Sequence, residues 1–429
     1  MAWSWTVCIF ALKYCENVIC RSCTNSACFS KKGAETVYLS SRIQNIKPSF
    51  IREILKVTAQ PDAISFAGGL PNKDLFPVNE LNAASSLVFA DHGVDALQYA
   101  ATEGYLPLKQ WISDQYKTRE GLEVKPEQIV ITNGSQQAFD LIGKVLLNEG
   151  DPLAMEQPGY LGAIQAFSFF RPAWQCVRLD EQGMNLDDIR KALRCSTHLF
   201  YSVPNFQNPT GLSHPNQNRE AVADLLRDQD CFLIQDDPYG WIQFSQQRYQ
   251  SYASLLPNQT ILLGSFSKTV VPAFRLGWVV VPEALIDPFL IAKQAIDLHT
   301  NSFCQRVLHE YVSSESFFPH LAGIIDNYQA QKQAMVDAVK EMMPEGVSCS
   351  DPEGGMFIWL KLPESLSARA LLDYCMERKV VFVPGDTFYL GAEDGNELRM
   401  NYSCLSAEKI REGVQIMADG VNQLISRSR

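Results

Sequence analysis

Between about residues 125 and 281 the chain repeats one pattern: a short apolar run, a polar turn, then a longer segment with helical spacing. The apolar runs are QIVIT (128–132), PLAME (152–156), WQCVRL (174–179), HLFYSVP (198–204), CFLIQDD (231–237), TILLGS (260–265) and LGWVVV (276–281). Helical segments intervene, among them SQQAFDLIGKVLL, a stretch after Tyr160, and NREAVADLLRDQ. Runs without a polar face are covered on both sides, and strands joined by helical crossovers run parallel. The expectation is an α/β fold with a mostly parallel seven-stranded sheet and helices on both faces. In such sheets ligands bind beyond the carboxyl ends of the strands.

After about residue 284 the pattern changes to long helices, notably HLAGIIDNYQAQKQAMVDAVKEMM (320–343), and then to an α+β region with strands GMFIWLKL (355–362) and VVFVPG (380–385). The predicted organisation has four parts. Residues 1–44 form an extension outside the core, and 45–75 a segment that packs with the smaller domain. Residues 76–310 form the large domain, and 311–429 a small α+β domain.

A net charge of −11 gives no general attraction to nucleic acid or anionic membrane, although it leaves room for a local cationic pocket. No run is long enough to span a membrane. Five of the twelve cysteines (Cys8, Cys15, Cys20, Cys23, Cys28) lie in the first 28 residues, and the rest scatter singly in apolar contexts. That scatter fits small core residues in a reducing compartment, here the cytoplasm. Cys20 and Cys23 make a C-x-x-C, but no second pair stands at matching spacing and no histidine precedes His92, so no metal is expected. The same segment lacks the basic start and small-residue cleavage site of a signal peptide.

The polar motifs fall just past the strand ends. After IVIT comes Asn133-Gly134-Ser135-Gln136-Gln137, a glycine turn entering a helix. Such a helix start favours an anion, although serine is also a common N-cap. After FYSVP comes NFQNPTG (205–211), which read alone is a turn starting a helix. After CFLIQ comes Asp236-Asp237-Pro238-Tyr239-Gly240, two carboxylates that need a cationic partner if buried. After TILLG comes Ser265-Phe266-Ser267-Lys268, with Arg275 further along the same segment. A lysine able to lose its proton can form a Schiff base with an aldehyde. A carboxylate facing a pyridinium nitrogen keeps that ring an electron sink, and serines with an arginine hold a phosphate. Together these fit pyridoxal 5′-phosphate.

The ordered set N-P-T-G, D-D-P-Y, S-F-S-K and the following arginine resembles the fold type I, class I/II aminotransferases, over roughly residues 45 to 425. FAGGLPNKDLFP (66–77), LQYA, NGSQQ, QPGY and VPNFQNPTG are most similar to the kynurenine/2-aminoadipate group, which includes enzymes acting on aromatic amino acids.

The resemblance implies a role for each matching residue. Lys268 binds the cofactor and moves the proton, Asp236 pairs with the ring nitrogen, and Tyr239 and Asn208 reach the ring oxygen. Tyr160 stacks on the ring, while Ser135, Gln136, Ser265, Ser267 and Arg275 hold the phosphate. Arg399, in ELRMNYS, grips the substrate carboxylate, helped by Asn208 and by the backbone at Gly69. Tyr99 reaches the site from a second subunit, which makes the active unit a homodimer. Arg52, in SFIREIL, resembles a substrate-side arginine, although its helix lies two residues closer to GGLP than the group's pattern. Asp237 is the structural member of its pair, a choice that rests on spacing to Tyr239. Read singly, Lys268 would be a surface lysine and Arg399 a solvated charge at a strand start. For the side-chain pocket, Arg52 could face a dicarboxylate and Phe388 or Tyr389 an aromatic ring.

The implied activity is a ping-pong transamination from an L-amino acid of 2-aminoadipate, kynurenine or aromatic type to 2-oxoglutarate. Two alternatives stay open: a β-lyase using the same site, and a regulator of the aminotransferase-like kind. The roughly 45 residues before the match are too few for a winged-helix module and its linker.

Overall fold

The computed structural model describes residues 30–32, 35–37, 39–44, 46, 62–391 and 395–428. Arg52 and the N-terminal cysteines lie outside them. The chain divides into two compact units, Met1–Ile46 and Lys47–Arg429. In the first, strands β1 (Ser30–Lys32) and β2 (Glu35–Val37) pair antiparallel, and a short helix, Ser41–Gln44, follows.

The second unit begins its described part with β3 (Ile64–Ser65) and is organised on a large sheet. Its strands are β4 (Ile129–Thr132), β5 (Pro152–Gln157), β6 (Ala173–Asp180), β7 (Gly183–Met184), β8 (Leu199–Ser202), β9 (Phe232–Asp236), β10 (Thr260–Ser265) and β11 (Gly277–Val280). They lie in the order β4-β11-β10-β9-β8-β5-β6-β7. The seven expected strands are all present. The eighth, β7, is a two-residue antiparallel return on β6, too short for its apolar content to mark it in the sequence. β10, β9, β8, β5 and β6 run parallel to one another, and β11 is reversed between β4 and β10.

Alternate residues of each strand enter different cores, which is what period-two geometry requires of a sheet covered twice. Val130, Ile261 and Leu263 pack with the helices Ser135–Leu146 and Leu161–Ser168. Ile129, Ile131 and Leu262 pack on the other face with Val78–Ala96, Leu106–Gln115 and Ser302–Val312. Further along that face Ala154, Phe200 and Leu233 meet Leu186–Arg194 and Asn216–Leu226.

After the long helix Phe317–Met342 comes a second sheet. It holds β12 (Ser348–Cys349), β13 (Phe357–Lys361), β15 (Val383–Pro384) and β16 (Glu397–Asn401), in the order β12-β13-β16-β15. The run VVFVPG, expected as one strand, is two. Val380–Val381 (β14) pairs parallel with β3, and β15 pairs antiparallel with β16. The helix Ala407–Ser428 closes the described chain. No helix among the described residues is long and apolar enough to cross a membrane.

Candidate active site

Register brings the motif-bearing ends together. Asp236, last in β9, lies beside Leu263 of β10, and Gly277, first in β11, faces both Ser265 and Thr132. Because β11 is reversed, its amino end reaches the edge where its neighbours end. A side chain at Gly277 would stand 2.8 Å from the Gly264 carbonyl and 3.0 Å from Gly134, so only glycine allows the three segments to approach.

A cavity of about 400 Å³ opens at this edge. It is lined by Ser135, Gln136, Tyr160, Asn208, Asp236, Tyr239, Ser265, Ser267, Lys268, Arg275, Arg399 and Gly69, twelve of the fourteen residues singled out above. Tyr99 does not line it. It is 79% exposed and meets His299 edge-on at 5.9 Å.

Lys268 sits in the loop after β10, and its Nζ donates to the Gly69 carbonyl at 2.6 Å. Burial, reinforced by the charges of Arg399 and Arg275, lowers its pKa to about 8. Asp236 is buried at the end of β9, and burial pushes its pKa up to about 7 against the steadying hydrogen bond from Tyr201. That hydroxyl donates to Oδ2 at 2.8 Å, whereas Oδ1 is buried without a partner among the described residues. Asp237 faces away, accepting from Asn205 Nδ2 and from the backbone N–H of Gly240, each at 2.9 Å. The structure thus places Asp236 at the cavity and Asp237 among scaffold partners.

Arg399 is not at a strand edge in solvent. It is the third residue of β16 and is buried, with its guanidinium over Phe357 at 4.4 Å and Phe388 at 5.1 Å. It donates to Asn208 Oδ1 at 2.7 Å and to the Ala67 carbonyl at 2.6 Å, while its Nε has no partner among the described residues. Phe388 therefore packs behind the arginine, and Tyr389 donates to Glu397 at 2.7 Å. Tyr239 is hydrogen-bonded with Asn208 and held well above its usual pKa by burial. Burial likewise pushes Tyr160 up to about 12.

At the other end of the cavity the helix Ser135–Leu146 starts without a side-chain cap, so the N–H groups of Ser135 and Gln136 suit an anion beside Ser265, Ser267 and Arg275. Gly134 has φ 71°, and a side chain there would stand 2.8 Å from the Arg275 guanidinium.

These donors fit pyridoxal phosphate. The hydroxyls, arginine and helix start suit a phosphate, the bare Oδ1 of Asp236 suits a ring N–H, and a lysine of depressed pKa suits an aldehyde. Sequence reasoning missed two contributors, Tyr201 within the apolar run HLFYSVP and the Ala67 carbonyl, and it expected the backbone at Gly69 to meet substrate rather than to accept from Lys268. Backbone acceptors carry no sequence signal. A tyrosine inside the apolar run next to the aspartate-bearing strand could have been found.

The family model for aminotransferase class I and II matches residues 65–417. The 2-aminoadipate transaminase of Thermus thermophilus is 38% identical over 386 residues, covering 89% of this chain and 96% of its own. Aromatic-amino-acid aminotransferase 1 of Thermococcus litoralis is 35% identical over 393 residues, covering 90% and 94%. The crystal structure of Pyrococcus horikoshii kynurenine aminotransferase, in complex with PMP and kynurenine, superposes with a TM-score of 0.86 at 36% identity, covering 90% of this chain and 97% of that one. Matched along most of its length by the family model, and by relatives 35% and 38% identical over about nine-tenths of it, this chain belongs to the aminotransferase class I and II family.

Proposed function

We propose that this transaminase takes its amino group from an L-amino acid of 2-aminoadipate, kynurenine or aromatic type and passes it to 2-oxoglutarate, in a ping-pong cycle on pyridoxal 5′-phosphate. The observation that carries the reading is the convergence of Lys268, Asp236 and Arg399 on one cavity, with Asp236 Oδ1 and Arg399 Nε buried and without a partner among the described residues. The printed names of the three relatives support the choice of donors.

When bound, the cofactor supplies an aldehyde for the amino group and a ring that draws electrons from the substrate Cα. The chain does the rest. Asp236 Oδ1 accepts the ring N–H and holds it protonated. Ser135, Gln136, Ser265, Ser267 and Arg275 would anchor the phosphate, and Tyr160 would pack against the ring. Tyr239 and Asn208 reach the ring oxygen. Arg399, held by Asn208 and Ala67, grips the α-carboxylate. Lys268 Nζ, deprotonated above about pH 8, takes the Cα proton.

The active unit in this reading is a cytoplasmic homodimer in which Tyr99 serves the other subunit's site. Tyr99 follows the helix Val78–Ala96, on which Leu87, Phe89 and Val94 are exposed, apolar surface that suits a second copy.

An absorbance spectrum of the purified protein tests the proposal. A visible cofactor band should vanish on adding L-2-aminoadipate, kynurenine or an aromatic amino acid and return with 2-oxoglutarate. No visible band, even after adding pyridoxal phosphate, would overturn it.

A further inference from the structure

Behind the 133–137 turn lies a polar cluster that the reaction does not use. Lys293, on the helix Ile286–Ile296, is fully buried, which for a lysine demands partners. Its Nζ donates to Asp297 Oδ1 at 3.0 Å and Oδ2 at 3.1 Å, to Thr300 Oγ1 at 3.0 Å and to Gln137 Oε1 at 3.2 Å. Asp297 Oδ2 also accepts from Asn133 Nδ2 and Gln137 Nε2, both at 2.7 Å. Gln137 Oε1 accepts the backbone N–H of Asn133 at 2.8 Å. Thr300 Oγ1 ties the cluster to β4 by donating to the Ile131 carbonyl at 3.1 Å.

Asn133 and Gln137 bracket Gly134, Ser135 and Gln136, and the last two line the cavity. The bracketed turn has little freedom, because Gly134 stands so close to Arg275 that a side chain would collide with the guanidinium. A small rotation of the turn would therefore change how Ser135 and Arg275 face a shared ligand. A buried ion pair is seldom needed for stability, since apolar residues of similar volume often do as well. Apolar residues could not, however, accept from Asn133 and Gln137. The pair is also neutral, so it places no net charge behind an anion site.

We propose that Lys293 and Asp297 are positioning residues that clamp the 133–137 turn from behind and so set the geometry in which the cofactor phosphate is held. The proposal rests on the pyridoxal phosphate reading above. It predicts an effect confined to the phosphate, which a merely structural pair would not produce.

The test titrates cofactor-free wild type, Asp297→Asn and Asn133→Ala with pyridoxal phosphate and, separately, with pyridoxal, which lacks the phosphate. Asp297→Asn should weaken pyridoxal phosphate binding about tenfold and leave pyridoxal within about twofold, as expected for losing one or two charge-assisted bonds. Asn133→Ala should act in the same direction, and it decides the matter alone if Asp297→Asn does not fold. Equal weakening of both ligands, or unchanged pyridoxal phosphate affinity, would overturn the clamp. Wild type that binds pyridoxal phosphate no better than pyridoxal would overturn the cofactor reading itself, and the clamp with it.

Discussion

Lys268 donates from Nζ to the carbonyl of Gly69 at 2.6 Å, so an amine in the loop after β10 is held by backbone that runs on from β3. The contact points the amine into the cavity, where burial, reinforced by the charges of Arg399 and Arg275, lowers its pKa to about 8.

Replacing that amine removes the proton carrier. Lys268→Ala should lower turnover by about 10²–10⁴-fold from proton transfer alone. Cofactor should remain bound weakly through its phosphate. Steady-state rates together with the spectrum check this, and near-normal turnover would sink the role given to Lys268.

Asp236 gives a pH signature in cofactor-free protein. Its pKa is about 7 folded against an ordinary 3.8, so between those values the folded state keeps a proton that the unfolded state releases. Stability from this group therefore falls as pH rises from about 4 to 7, by something on the order of 3 kcal/mol. Asp236→Asn should abolish that fall, as read from urea midpoints at pH 4.5 and 7.5. Parallel pH curves for the two proteins would refute it.

Arg399 is buried and hydrogen-bonded on two nitrogens, which fixes its fork before any carboxylate arrives. Arg399→Lys keeps the charge but loses the planar geometry, and should lower kcat/KM by roughly 10²-fold. The loss should fall mainly on KM for amino acids and be much smaller for amines without a carboxylate. Equal losses for both kinds of donor would argue against carboxylate recognition.

The shared-site reading can be checked by complementation. Tyr99→Ala and Lys268→Ala proteins should each be impaired. Mixed under exchange conditions, they should regain activity, because a mixed pair holds one site with both residues intact. No recovery, despite demonstrated exchange of subunits, would place Tyr99 outside the partner's site.

The large sheet was legible because its strands are continuous apolar runs whose motifs fall at their ends. β14 and β15 were not separable, because the apolar residues of VVFVPG say that the segment is buried and not which sheet takes each half. Arg399 looked like a surface charge because Phe357 and Phe388, which cover it, come from β13 and from the turn after β15. The Lys293–Asp297 pair carried an i, i+4 spacing that suits a solvated helix face just as well. What separates the two readings is burial, and that depends on the whole fold.

The reversed strand β11 has one more consequence. The chain leaves the sheet at Ser265 and re-enters it at Gly277 on the same edge, so Lys268 and Arg275 ride on a single short loop tethered at both ends. In the proposed reading, adding or deleting one residue there would move the covalent anchor, Lys268, against the phosphate anchor, Arg275. The distance between those two points on the cofactor cannot change. On those roles the loop would act as a fixed-length gauge, one that leaves no room for insertions between Lys268 and Arg275.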